Sequence, residues 1–216
     1  MNMPAKPEPR GGYPAIHDAL MQRLATAPLA AHAERLGLTR LDDGAVEVRF
    51  LGQPYRVGQG WVHDAHGAAA PLIVASLIAG YLLTGGGGET FGRFVPLKTL
   101  AGTGSGHVSF QQNALAAPLI RRFKGRTEAL RAAAGHLGGR PGGEAGSGGI
   151  SLIFDVLSRV PLQLVFYDSD AEFPAEVNFL LDQSATRFLE YEYLAVMLTA
   201  FVKTLLAADR SSNPHQ

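Results

Sequence analysis

The 216-residue chain carries 19 Lys and Arg residues against 19 Asp and Glu residues, so its formal net charge is zero. Because phosphate neutralisation supplies most of the affinity of nucleic-acid binders, this balance argues against nucleic acid as a partner. The chain has no cysteine, which excludes disulfides, cysteine-ligated iron–sulfur clusters and thiol nucleophiles within it. Apolar residues make up 46% of the sequence, enough to form the core of one domain.

The first residues, 1–12, are polar and lack the apolar centre of a signal peptide. The longest apolar run, residues 68–83, is too short at about 1.5 Å per residue to cross about 30 Å of hydrocarbon. We therefore predict a buried core helix in this run, no membrane insertion and a cytoplasmic location. The expected organisation is a disordered tail at 1–12, a single α+β domain at 13–208 with a flexible glycine-rich loop at 138–149, and a tail at 209–216.

The first half of the domain is predicted to contain helices and a β-hairpin. Apolar residues at helical spacing indicate two helices before Gly37, which ends the second. Alternating residues 46–50 indicate a strand, and residues 55–57 its hairpin partner. The expected elements that follow are a loop at 58–67, a helix from Leu72 to Leu83 and extended chain at 91–100.

The second half is predicted to begin with two helices, which Ser109 and Thr127 start. Residues 150–157 and 162–167 have the composition of strands, and residues 177–181 fit either a strand or a helical turn. Apolar residues within 185–208 suit a long helix. Together these elements predict an α+β fold, in which a small, mostly antiparallel sheet packs against several helices that include a long C-terminal one.

An acidic segment directly after the clearest strand is the first candidate site. Asp168, Asp170 and Glu172 stand at alternate positions and could converge on a hard cation, because calcium and magnesium prefer oxygen ligands. An acid/base pair is an alternative, since two close carboxylates raise the pKa of one of them. The third alternative is a solvated turn in which Asp168 or Asp170 caps the next segment.

Histidines supply the second set of candidates. His63 and His66 flank Asp64 in the predicted loop, and His107 lies further along the chain. A histidine pair at this spacing binds zinc only with further ligands, so the alternative is a polar loop with two ordinary imidazoles. No H-E-x-x-H or G-x-S-x-G pattern occurs, so neither a helical zinc-protease site nor a serine-hydrolase elbow is indicated.

Residues 161–175, PLQLVFYDSDAEFPA, and residues 179–185, FLLDQSA, resemble the prokaryotic family catalogued as domain of unknown function 3786. Weaker likeness extends over residues 16–201. The family often accompanies a small iron–sulfur module of the kind seen in corrinoid proteins of anaerobes. This chain has no cysteine, so the resemblance implies that such a module belongs to another chain. It implies no established activity, but it suggests that Asp170, Glu172, Phe173, Pro174 and Asp182 matter to the family.

The leading functional hypothesis is a non-catalytic binding or accessory protein. Its expected ligand is a small, tetrapyrrole-like cofactor or a redox or iron–sulfur partner protein, because no catalytic set is recognisable around the apolar core. The alternative is a metal-dependent hydrolase or lyase that uses the acidic turn at 168–172 with Asp182, and His63 or His107 as a base. A purely structural subunit is the third hypothesis.

Overall fold

The computed structural model describes residues 12–101, 108–143 and 148–212, with the backbone alone at 108–112 and 211–212. Of the predicted tail at 1–12, only residue 12 is described, and His107 lies outside the described residues. The α-helices are α1 Tyr13–Ala25, α2 Leu29–Leu36, α3 Leu72–Thr84, α4 Leu97–Leu100, α5 Val108–Phe123, α6 Thr127–His136 and α7 Tyr191–Ser212, and a 3₁₀ turn spans Ala185–Arg187.

The strands form two antiparallel sheets, and the predicted α+β class with a long C-terminal helix is confirmed. The first sheet has the order β1-β2-β3-β4, with β1 Thr39–Arg40, β2 Val46–Phe50, β3 Gln53–Gly58 and β4 Trp61–Asp64. The second sheet has the order β5-β9-β8-β7-β6, with β5 Phe94–Pro96, β6 Arg140–Pro141, β7 Ile150–Leu157, β8 Val160–Tyr167 and β9 Glu176–Asp182.

A backbone hydrogen bond joins the two sheets. The register between β7 and β8 shifts between Asp155 and Leu157, and this leaves the carbonyl of Val156 free to accept from the Leu51 N–H at 3.0 Å. Leu51 adopts a left-handed conformation with φ of 49°, which is unusual for a branched residue, and its side chain is buried. The turn of the β2–β3 hairpin is thereby held against β7.

One hydrophobic core runs through both sheets and the helices packed on them, and α7 covers the second sheet within it. Phe201 of α7 is fully buried and makes edge-to-face ring contacts with Phe154 of β7 at 4.8 Å and with Phe179 of β9 at 6.4 Å between centroids. Such aromatic pairs stabilise a core by about 0.5–1.5 kcal/mol beyond the area they bury. Helix α3 is buried from Ala75 to Leu82, which confirms the predicted core helix.

Helix α7 is long and apolar enough, by length and composition, to cross a bilayer. Core helices of soluble proteins meet the same criteria. In this fold α7 packs against other elements, and Met197, Phe201 and Leu205 on one side of it are fully buried.

Several predicted boundaries are wrong. Residues 61–64 lie in β4 rather than in a loop, because their backbone pairs with β3 from Gly58↔Trp61 to Tyr55↔Asp64. The predicted extended segment 91–100 contains the short helix α4. Helix α7 begins at Tyr191, after a 3₁₀ turn, and continues beyond residue 208 to Ser212. The glycine-rich segment 138–149 includes β6, whose register partners are on β7.

Candidate functional site

The first carboxylate of the acidic turn is a tether between two elements. Asp168 follows β8 and accepts hydrogen bonds from the N–H of Ser169 at 2.8 Å and from the N–H of Gly125, whose nitrogen is 2.9 Å from Oδ2. Gly125 lies in the turn between α5 and α6. The Asp168 carboxylate therefore connects the end of β8 to this helix pair.

The second carboxylate closes the turn itself. Asp170 Oδ1 accepts from the N–H groups of Phe173 at 2.7 Å and Glu172 at 2.8 Å, and the Asp170 N–H donates to the Phe173 carbonyl at 3.1 Å. The backbone hydrogen bonds from Phe173 and then Glu172 hold the pKa of Asp170 below its ordinary value. Asp170, Glu172, Phe173 and Pro174 are exposed, so the turn lies on the surface.

Asp182 is a buried anchor at the end of β9. Its Oδ1 accepts from the N–H of Phe91 at 3.0 Å, and from the N–H and the hydroxyl of Ser184 at 2.9 and 2.5 Å. Burial raises the pKa of this carboxyl, but the hydrogen bonds from Ser184 and Phe91 and the nearby Gly92 N–H outweigh burial and lower the pKa. Oδ2 has no hydrogen-bond partner among the described residues. Asp182 thus fastens the segment before β5 to β9.

The histidines stand on the other sheet. His63 lies on β4 and stacks on Trp61, with 4.6 Å between ring centroids. His66 lies in the turn after β4, where Asp64 Oδ1 accepts its backbone N–H at 2.9 Å. The acidic turn and Asp182 belong to the second sheet. Across the part of the chain that the structure describes, no three His, Asp or Glu side chains are grouped so as to hold a metal ion.

A cleft of about 540 Å³ lies beside β9, and we call it the edge cleft. Its volume is in the range of ligand pockets, about 300–1,000 Å³. Two of its walls are α5 and the start of β9, and β5 and α4 contribute one residue each. The lining residues are Pro96, Lys98, Asn113, Ala116, Ala117, Ile120, Ala175, Glu176, Val177 and Asn178.

The backbone of β9 is open along this cleft. On one side β9 pairs with β8 from Glu176 to Leu181, but on the other side β5 pairs only with Leu180, Leu181 and Asp182. The Gln183 N–H points to the β5 side of the strand, where it donates to the Arg93 carbonyl at 2.8 Å. Every second residue of a strand directs its N–H and C=O to the same side, so Val177, six positions earlier, also directs its backbone groups to the β5 side. No strand within the described ranges pairs with Val177 there.

Polar side chains mark the rim of the edge cleft. The Asn178 amide donates from Nδ2 to Oε1 of Glu176 at 2.8 Å, which fixes both side chains on the outer face of β9. Lys98, on α4, is exposed. The acidic turn leads into the cleft through Ala175, so the segment that the sequence selected borders the cleft, although its carboxylates do not line it.

A second cleft, of about 550 Å³, lies between the start of α2 and the first sheet. We call it the tryptophan cleft, because Trp61 lines it together with Pro28 and Asp43. A Cβ atom placed on Gly58 would lie 2.1 Å from the Trp61 ring. Glycine at this position therefore lets the ring approach the strand backbone closely, and the ring forms an aromatic wall of the cleft.

Lys98, Glu176 and Asn178 were not predicted as site residues from the sequence. Residues 176–179 alternate between polar and apolar, with Glu176 and Asn178 on the polar face. This alternation predicts which side chains share a face of the strand, but not which backbone edge of the strand is left without a pairing strand.

The family described as Domain of unknown function (DUF3786) matches residues 28–204, and the chain belongs to this family. No curated protein matches the chain significantly, and no solved structure does.

Proposed function

We propose that this protein is a non-catalytic accessory protein that binds a segment of a partner protein in the edge cleft. The observation that carries the proposal is the open backbone edge of β9 beside the wall of α5. Extended peptides add to such edges by main-chain hydrogen bonds, while pockets for alternate side chains give specificity.

The lining of the edge cleft suits a polypeptide. Small α5 residues, Ala116 and Ala117, leave room for an added strand, and Ile120 supplies apolar area. Lys98 and Glu176 carry opposite charges, so the cleft can pair with either sign on the partner and fix its register.

The partner class we propose is a redox or iron–sulfur protein. The family resemblance supports this class, and a chain without cysteine cannot ligate such a cluster through thiolates. Redox encounters bury little area, below about 1,200 Å², which one strand edge and one helix face can supply.

Paired variants on one helix test the proposal. Ala117 is exposed and lines the edge cleft, while Ala114 is exposed on the same helix but does not line it. Ala117→Lys should fill the cleft, and Ala114→Lys adds the same side chain elsewhere. Each tagged protein is expressed in the native host, cross-linked and recovered, and mass spectrometry identifies cross-linked peptides.

We expect wild type and Ala114→Lys to yield the same partner peptide cross-linked to residues of α5 or β9, and Ala117→Lys to lose it. Loss in neither variant, or in both, would place the partner elsewhere. A wild-type protein with no cross-linked partner would overturn the proposal. Thermal denaturation checks that both variants are folded.

A second candidate ligand is a small planar cofactor of the tetrapyrrole-like class, bound in the tryptophan cleft. The aromatic side chain of Trp61 in the lining favours it, since aromatic rings pack against one another in offset or edge-to-face arrangements. Neither cleft has a His, Met, Cys or Tyr among its described lining residues, so the tryptophan cleft would hold such a cofactor by ring packing rather than by metal ligation. Trp61 is the single tryptophan, so its fluorescence reports this site. We expect quenching by haem or a cobalamin, and unchanged emission would exclude this candidate.

A further inference from the structure

A glycine-rich loop, residues 85–89 with the sequence GGGGE, follows α3. Gly85 ends α3 in the left-handed conformation, with φ of 53°, and its N–H donates to the Tyr81 carbonyl. Gly86 lies against the backbone of Arg187, where an added Cβ would be 1.8 Å from the carbonyl oxygen. The fold therefore requires glycine at both positions.

Three arginines from distant parts of the chain surround this loop. A Cβ atom placed on Gly85 would lie 3.0 Å from Nη2 of Arg35, at the end of α2. One placed on Gly88 would lie 3.1 Å from Nη2 of Arg187, in the 3₁₀ turn.

The third arginine, Arg159, lies in the turn between β7 and β8, and its Nη1 is 2.7 Å from Oε2 of Glu89. The five-residue loop is thus in reach of three guanidinium groups.

The positive charge at the loop is only partly neutralised. Glu89 pairs with Arg159, but no carboxylate of the described residues lies in salt-bridge range of Arg35 or Arg187. Arg187 instead lies over the exposed ring of Phe91, 5.6 Å from its centroid. Two guanidinium groups beside one loop therefore have no carboxylate partner within the described residues, in a chain whose net charge is zero.

Gly87 is not explained by the fold. Its φ is not in the left-handed region, and a Cβ atom placed on it would have no described atom within 4 Å. Alanine would therefore fit at this position. Without a side chain at Gly87, a ligand can approach the backbone N–H groups of the loop closely, which is a recurrent use of glycine.

We propose that the 85–89 loop, with Arg35 and Arg187, is a binding site for a phosphate group that carries two negative charges. Guanidinium groups match phosphate geometry by paired N–H donors, and the charge of the dianion equals the excess at the loop. The site is separate from both clefts, and none of its residues lines either of them. The proposal therefore stands independently of partner binding in the edge cleft.

Calorimetric titration of the full chain at low ionic strength tests the site, with inorganic phosphate and phenyl phosphate as probes. The first probe represents the free ion and the second a phosphate monoester, and succinate is the dianion without phosphate. The variants are Arg35→Gln, Arg187→Gln and Gly87→Ala. Arg121→Gln is the matched control, since Arg121 is an exposed arginine of α5 with no ion pair among the described residues.

We expect both phosphate probes to bind and succinate to bind at least about tenfold more weakly. Each variant of Arg35 or Arg187 should bind phosphate about tenfold more weakly, because it loses a hydrogen bond between charged groups. Gly87→Ala should weaken binding with unchanged thermal stability, which separates a ligand effect from misfolding.

Phenyl phosphate bound more tightly than inorganic phosphate would identify a monoester as the natural ligand class, and the reverse would identify the free ion. No binding of either probe at millimolar concentration would overturn the proposal. An equal loss in Arg121→Gln would also overturn it, because it would show a general electrostatic effect rather than a site.

Discussion

Replacement of Asp182 probes the anchor that holds the segment before β5 to the second sheet. Asp182 is 0% exposed and accepts three hydrogen bonds, two from backbone N–H groups and one from the Ser184 hydroxyl. Hydrogen bonds to charged groups are worth about 1.5–3 kcal/mol each, and such terms are not additive within one cluster. We therefore expect Asp182→Ala to lower the free energy of unfolding by about 4 kcal/mol.

Urea and thermal denaturation measure this loss. For a chain of this size the melting temperature should fall by roughly 8–16 °C. Asp182→Asn keeps an acceptor at Oδ1 and should lose less, about 2 kcal/mol. The control is Asp155→Ala, whose exposed pair with Arg140 should contribute at most about 1 kcal/mol. A loss below about 1 kcal/mol in Asp182→Ala would refute the reasoning.

The pH dependence of stability gives an independent check on the same residue. The folded-state pKa of Asp182 lies below its ordinary value of 3.8, because the hydrogen bonds outweigh burial. The charged form therefore stabilises the fold above the unfolded-state pKa, and this stability is lost as the pH falls through the folded-state pKa. Between pH 7 and pH 3 the wild type should lose more stability than Asp182→Asn. Equal losses would mean that Asp182 does not contribute.

Three further variants test other parts of the structure. Gly86→Ala should lower the free energy of unfolding by about 1–3 kcal/mol, because its Cβ would lie 1.8 Å from the Arg187 carbonyl oxygen. Gly87→Ala should stay within about 0.5 kcal/mol of wild type. Equal urea midpoints for the two variants would contradict this. Asp209→Ala should cost about 2 kcal/mol, since this buried carboxylate pairs with two partly exposed arginines of the α5–α6 region, and a circular-dichroism melt that matches wild type would reject it. Calorimetry with magnesium, manganese, calcium and zinc should show no tight binding at the acidic turn, because Asp170 is engaged by backbone N–H groups; tight binding that Asp170→Asn abolishes would instead favour the metal-dependent enzyme.

The acidic turn shows how far the residue pattern alone reaches. Its position after the strand of residues 162–167 follows from sequence, since β-prone residues end at Asp168. The use of its carboxylates does not, because the N–H that Asp168 binds belongs to Gly125, 43 positions away. Nothing in residues 168–174 specifies that partner.

The edge cleft and the site at the 85–89 loop could not be predicted from the sequence, for the same reason. An open edge exists only because β5 pairs with three residues of β9 and then gives way to α4. Arg35, Arg187 and Arg159 each lie beside a different residue of the 85–89 loop, Gly85, Gly88 and Glu89, and they come from three separate parts of the chain. Each arginine by itself has the pattern of a solvated surface residue.

Local residue preferences determined the individual strands, helices and helix ends that the sequence predicts. The alternation in Val46–Phe50 specified a half-buried strand, the apolar run from Leu72 specified a core helix, and Gly37 and Gly85 ended their helices because both adopt the left-handed conformation. Tertiary structure alone decided that Trp61–Asp64 pairs as a strand, that the chain folds into two sheets, and which polar groups share a surface. The physical reason is that periodicity and turn preferences act over a few residues, whereas strand pairing and charge clustering depend on contacts between segments far apart in the chain.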